Sequence, residues 1–120
     1  MNFLAKNLRG TGVAVVTPFN EDFSIDTESI IRIVDFLIEN GVDYIVVQGT
    51  TGESSTLNKS EKNLSRTAFV NANKGRVPMI LGLGSNDTLS IVNDLRSSQF
   101  SGFSAILSVT PFYNKPSQNG

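Results

Sequence analysis

The sequence predicts an α/β fold of four parallel strands separated by three helices. Three observations carry this. Short, continuously apolar runs alternate strictly with longer segments of helical period, an order that implies a parallel sheet built from crossover connections. Each apolar run ends in glycine, proline or threonine. The runs also begin near residues 11, 43, 77 and 104, roughly thirty residues apart. A (β/α)8 barrel of about 250 residues divides into eight units of about that length. Four such units without the last helix make the N-terminal half of a (β/α)8 TIM barrel, although an open doubly wound sheet gives similar spacing.

Thr11 to Val16 reads as the first strand, stopped by Thr17-Pro18-Phe19. Asp26 fits as the N-cap of a helix running to Asn40, with Ile30, Ile33, Val34 and Leu37 at helical spacing and Gly41 as its stop. Asp43 to Gln48 is the second strand; its Tyr44-Ile45-Val46-Val47 run is apolar enough to be covered on both faces. Ser60 is the expected cap of a second helix reaching Asn73, with Leu64, Ala68 and Ala72 inward, and Gly75 closes it. Val77 to Leu81 forms the third strand. A third helix starts at Ser85 or Asp87 and turns Ile91, Val92 and Leu95 inward, and Ser104 to Val109 is the fourth strand. Residues 1–120 form a single, incomplete barrel domain without linker or low-complexity segment.

Composition excludes several function classes. A net charge of −1 argues against nucleic acid or an anionic membrane as partner, since both need a basic patch. With neither Cys nor His, zinc sites, Ser-His-Asp triads and Cys-His dyads are ruled out, so proton transfer falls to Tyr, Lys, carboxylates or a hydroxyl relay. The absence of Cys fits a reducing cytosol. Met1 to Arg9 carries too short an apolar run for a signal peptide, and no segment approaches a membrane span.

In a parallel barrel the active site gathers at the C-terminal ends of the strands. Those ends carry Thr17-Pro18-Phe19, Gly49-Thr50-Thr51-Gly52-Glu53, Gly82-Leu83-Gly84-Ser85-Asn86 and Thr110-Pro111-Phe112-Tyr113-Asn114. The second stretch reads as a carboxylate- or phosphate-sized cradle, with glycines freeing the backbone and Thr50 and Thr51 adding hydroxyls. Taken alone, the two threonines also fit a turn whose hydroxyls satisfy local backbone groups, and Glu53 fits a helix-start acid or a surface charge. Tyr113, between Pro111 and Pro116, fits packing or a rigidly positioned phenol. Gly82-x-Gly84 does not complete a dinucleotide fingerprint, because Asp87 stands where the third glycine belongs. No Walker lysine follows a glycine loop, and no carboxylate spacing suggests a metal cage.

Together, Gly10 to Phe19, Gly49 to Glu53, Gly82 to Asn86 and Val109-Thr110-Pro111-Phe112-Tyr113-Asn114-Lys115-Pro116-Ser117-Gln118 resemble the dihydrodipicolinate synthase family. This family belongs to the pyruvate-dependent class I aldolases, with the N-acetylneuraminate lyases as relatives. Thr50 and the Tyr-Asn-Lys-Pro loop resemble the synthases more than the lyases. The resemblance implies a cytoplasmic lyase of lysine and diaminopimelate biosynthesis. It would condense pyruvate with L-aspartate-4-semialdehyde through a lysine Schiff base, with no cofactor beyond the covalent pyruvate, and assemble as a homotetramer, a dimer of dimers. By the same resemblance, Thr51 and the Thr50–Thr51 amides would hold the pyruvate carboxylate. Thr50 and Tyr113 would be two members of a proton relay, with Tyr113 reaching into a neighbour's site.

The family's Schiff-base lysine, second relay tyrosine and substrate-binding arginine are expected beyond Gly120, and Lys115 matches a loop position rather than the nucleophile. The 120 residues alone are therefore expected to lack activity, with strands 1 and 4 as unpaired edges. Lysine-inhibited members carry His, Glu and Tyr where Lys59, Lys62, Ser90 and Phe112 stand here, so weak or no lysine inhibition is expected. The alternatives are a sister pyruvate aldolase of the N-acetylneuraminate lyase type and a non-catalytic half-barrel that self-associates.

Overall fold

Four short strands alternate with three helices in the order β1 (Gly12–Ala14), α1 (Thr27–Glu39), β2 (Tyr44–Val47), α2 (Lys59–Asn73), β3 (Met79–Gly82), α3 (Thr88–Ser97) and β4 (Ala105–Leu107). They are seen in a computed structural model that describes residues 8–97, 100–113 and 117. The strands pair in parallel in chain order, β1-β2-β3-β4, so the predicted alternation and sheet are present.

Side chains alternate across a strand, and the register aligns Val13, Ile45 and Met79 on one face and Ala14, Val46 and Ile80 on the other. The first face is the covered one. Ile45, Val47 and Met79 join Val15, Ile30, Val34, Phe69 and Ala72 in a core shared with α1 and α2. The second face, with Tyr44, Val46 and Ile80, is only half-buried. The β2 run is therefore covered on one face rather than on both. In a closed barrel the other face points inward, and four strands do not enclose it.

Asp26 caps α1 as its sequence position predicts, its Oδ1 accepting from the Ser29 N–H at 2.9 Å. Hydrogen bonds from the Ser29 side chain and backbone hold the Asp26 carboxyl below its ordinary pKa, with Arg32 adding to the effect. A depressed folded-state pKa makes the cap's contribution full above the unfolded carboxylate pKa and lost as pH falls through the folded one. Asp26→Ala should thus lower the melting temperature at neutral pH and should lose this difference in acid below both pKa values. A melting-temperature difference that does not change with pH would contradict this account.

The second helix departs from expectation at its start and on its inner face. Asn58, not Ser60, is the N-cap: its Oδ1 accepts from the Glu61 N–H at 3.0 Å, while Glu61 Oε2 accepts from the Asn58 N–H at 2.8 Å. This reciprocal pair satisfies two amides that the helix cannot. Inward lie Ser65, Arg66, Phe69, Ala72 and Asn73, while Leu64 is exposed. Phe69 is the largest apolar side chain on the helix, and seating it turns the inner face by about one residue from the predicted Leu64–Ala68–Ala72 row. Lys74 ends the helix in the left-handed region (φ 51°), one residue before Gly75.

Asp87 starts α3, accepting from the Leu89 and Ser90 amides at 3.0 and 3.2 Å. Ile91 and Val92 are half-buried and Leu95 is exposed, so the expected inward row is only partly sealed. Of the three, Ile91 lines a cavity between this helix and α2.

Candidate active site

The strand ends form one rim. Past β1, the buried Thr17 hydroxyl donates to the Gly52 carbonyl at 2.7 Å, tying the first rim segment to the second. Beyond β2 the chain folds into a tight turn. The Gly52 N–H donates to the Gly49 carbonyl at 3.1 Å, the Glu53 N–H to the Thr50 carbonyl at 3.0 Å, and the Thr56 N–H to the Glu53 carbonyl at 3.0 Å. These bonds have helical sense, so the turn's leading amides have no carbonyl behind them to reach.

The left-handed residues of this turn are Gln48 (φ 57°) and Glu53 (φ 54°), which flank the two glycines from outside. The glycines were expected to provide the sharp bend, but their roles differ. A Cβ on Gly49 would meet nothing nearer than Val46 Cγ1 at 3.9 Å, whereas on Gly52 it would press the Val15 carbonyl at 3.1 Å. Gly52 thus serves the close approach of the β1 end.

The amides and hydroxyls of Thr50 and Thr51 make no hydrogen bond as donors among the described residues, and both side chains are exposed. Their hydroxyls therefore do not fill the local backbone role that turn threonines often take. Thr56 does, donating to the Glu53 carbonyl at 2.9 Å. Glu53 is an exposed turn residue.

A cavity of about 650 Å³ opens beside the turn, lined by parts of the second, third and fourth rim segments together with α2 and α3. Thr50 lines it; Thr51 and Tyr113 do not. Tyr113 is 94% exposed in the left-handed region (φ 76°) and shares no hydrogen bond with Thr50. Of the positions matched to lysine inhibition, Lys62, Ser90 and Phe112 line the cavity, and Lys59 lies outside its lining. Lys115 and Pro116 lie outside the described residues. Among the described residues no cluster of three His, Cys, Asp or Glu side chains could hold a metal ion, and no helix is long and apolar enough to cross a membrane.

Two residues of the cavity wall went unread in the sequence. Gln48 is 2% exposed, and its amide joins two parts of α2: Nε2 donates to the Lys62 carbonyl at 2.7 Å, and Oε1 accepts from Arg66 Nε at 3.1 Å. Arg66 is itself 8% exposed. Burial pushes its guanidinium pKa down, and the Asp94 carboxylate opposes that shift. An arginine remains charged under such a perturbation. The sequence signal was faint: one arginine in a helix of weak amphipathicity, and a glutamine at a strand's end.

Comparison with known proteins agrees with this arrangement. The model of the "Dihydrodipicolinate synthetase family" matches residues 7–120. The chain is 55% identical over 111 residues to a 4-hydroxy-tetrahydrodipicolinate synthase of Flavobacterium psychrophilum, covering 92% of this chain and 38% of the relative. Against the enzyme of that name from Parabacteroides distasonis it is 50% identical over 114 residues, covering 95% and 38%. Among solved structures, the dihydrodipicolinate synthase of Thermotoga maritima superposes with a TM-score of 0.86 at 39% identity, covering 95% of this chain and 38% of that one. The dihydrodipicolinate synthase of Aquifex aeolicus gives 0.85 at 38% identity, covering 93% and 38%. The chain spans about 38% of the length of the curated relatives it matches, and its four strands correspond to half of their barrel. On its rim segments, its sheet order and these likenesses, the chain belongs to the dihydrodipicolinate synthetase family.

Proposed function

We propose that this chain supplies the carboxylate-holding half of a 4-hydroxy-tetrahydrodipicolinate synthase site, in a protein that condenses pyruvate with L-aspartate-4-semialdehyde through a lysine Schiff base. The observation that carries this is the turn after β2, where the Thr50 and Thr51 amides and hydroxyls are left as unpaired donors beside a cavity. Such donors suit a carboxylate, because an anionic acceptor strengthens each bond. Thr51 and the two amides would hold the pyruvate carboxylate. Thr50, which lines the cavity, would pass a proton with Tyr113, a role hydroxyls can fill in a chain without histidine.

Tyr113 makes no hydrogen bond within its own chain among the described residues and is almost fully exposed, which supports its acting in a neighbouring copy of a homo-oligomer. A cytoplasmic location and a dimer-of-dimers assembly belong to this same reading. The Schiff base itself would supply the electron sink for carbon–carbon bond formation, and no separate cofactor is required.

The test is pyruvate titration of the chain followed by NMR at the Thr50 and Thr51 amides. Saturable shifts are expected there, and Thr51→Val should weaken binding about ten- to a hundredfold, the loss of a hydrogen bond to a charged group. Shifts absent from the turn would sink the assignment. Borohydride trapping with pyruvate should leave no stable adduct on this chain; a stable adduct would overturn its expected lack of activity, and one on Lys115 the reading of that residue as non-nucleophilic.

Regulation follows the charges. Lys62 lines the cavity, and Ser90 stands there where an acid would bind a lysine side chain. An ammonium repels lysine's own cation. Lysine should inhibit the active enzyme weakly or not at all; half-inhibition below about 1 mM would contradict this.

A further inference from the structure

The turn after β2 keeps its carbonyls occupied while the Thr50 and Thr51 amides stay free. The Gly49 carbonyl accepts from the Gly52 N–H, the Thr50 carbonyl from the Glu53 N–H, and the Glu53 carbonyl from the Thr56 N–H and hydroxyl. These three are satisfied from within the turn. The Gly52 carbonyl is not: it accepts at 2.7 Å from the hydroxyl of Thr17, past the end of β1. Both residues are buried, so bulk water offers this carbonyl little replacement. The approach is possible because position 52 has no side chain, since a Cβ there would press the Val15 carbonyl at 3.1 Å.

That single bond acts on a strained peptide. Glu53 sits in the left-handed region (φ 54°), where a residue with a Cβ is crowded. Its φ is set by the same peptide unit whose carbonyl Thr17 holds. Swinging the Gly52–Glu53 peptide over would relieve Glu53, and glycine at 52 puts up no steric resistance. The swing would also take the Glu53 N–H off the Thr50 carbonyl. An unpaired carbonyl beside the Thr50 and Thr51 amides would set an acceptor where an anion needs donors.

We propose that Thr17 is a positioning residue of the carboxylate site, its hydroxyl latching the Gly52–Glu53 peptide so that the Thr50 carbonyl stays paired. Thr17 does not line the cavity and acts through the turn alone. The inference rests on the pyruvate reading of Thr50 and Thr51.

Pyruvate titration and amide hydrogen exchange of the chain, both read by NMR, test the latch. Thr17→Val keeps the side chain's shape and removes the hydroxyl. It should speed exchange at the Glu53 N–H about tenfold and leave the Ile45 N–H, which donates to the Pro78 carbonyl at 3.1 Å, within about twofold. Pyruvate should bind about three- to tenfold more weakly, the effect of losing one buried hydrogen bond. Thr17→Ser keeps the donor and should restore both readings. Adding Glu53→Gly to Thr17→Val lifts the crowding that drives the swing, and should return pyruvate affinity to within about twofold of the parent.

Full pyruvate affinity in Thr17→Val would overturn the proposal. So would equal acceleration at Glu53 and Ile45, the mark of a merely structural threonine, or a Thr17→Ser variant as weak as Thr17→Val. A parent chain without pyruvate shifts at Thr50 and Thr51 would sink the pyruvate reading and this proposal with it; that outcome is told apart because it needs no substitution. Should Thr17→Val fail to fold, Thr17→Ala is read in the same way.

Discussion

Gly82→Ala should destabilise the folded chain by about 3 kcal/mol or more, at the upper end of what a single added methyl costs in a packed interior. A Cβ at this position would lie 2.2 Å from the Gln48 carbonyl oxygen, 2.7 Å from the Gln48 carbonyl carbon and 2.9 Å from the Gly49 nitrogen. All three are backbone atoms of the neighbouring strand's end, and none can rotate aside. Gly12 makes an instructive contrast, since its Cβ would meet the Tyr44 ring, a side chain free to move. The damage at Gly82 would also reach the cavity, because the backbone it displaces is that of Gln48, which orients Arg66. Urea unfolding measures the loss. Gly49→Ala serves as the control, with open space around its Cβ, and should fall within about 0.5 kcal/mol of the parent. Equal effects at the two positions would refute the close-approach account.

Phe69→Ala should cost about 3–5 kcal/mol, the range for removing a buried aromatic ring and leaving a cavity. Among the described residues Phe69 is the largest fully buried side chain, and it sits where α2 meets the sheet and α1. Leu64→Ala, on the exposed side of the same helix, should cost no more than about 0.5 kcal/mol. The pair tests which face of α2 points inward, and a larger loss at Leu64 than at Phe69 would restore the face read from the sequence.

That helix also shows where sequence reading stopped. The strands, the Asp26 cap and the gathering of rim segments were legible because each rests on local signals: apolar runs, a capping side chain, breakers at fixed places. The face of α2 was not. Its apolar residues are few, so the period behind the Leu64–Ala68–Ala72 row was weak, and the volume of Phe69 set a different face inward. In the turn, Gly49 and Gly52 carried the expected sharp bend, yet the left-handed residues are Gln48 and Glu53. Glycine marks where such a bend is cheap, and the surrounding contacts determine where it falls. The Gln48–Arg66 link was invisible for a further reason. It joins a strand end to a helix of another layer, and a lone arginine on a polar helix reads as solvated. Thr50 and Thr51 were legible as donors. Their freedom from local partners, and the outward pose of Tyr113, needed coordinates.

The strand order has a consequence for how the sheet comes into being. Within the described sheet, each strand after β1 pairs with the one synthesised just before it. Domains made this way can be laid down progressively during translation, N-terminal units first. At every stage the newest strand is the open border on which the next is templated, and β4 occupies that position here. The growing protein therefore records its own order of manufacture in the lateral order of its sheet.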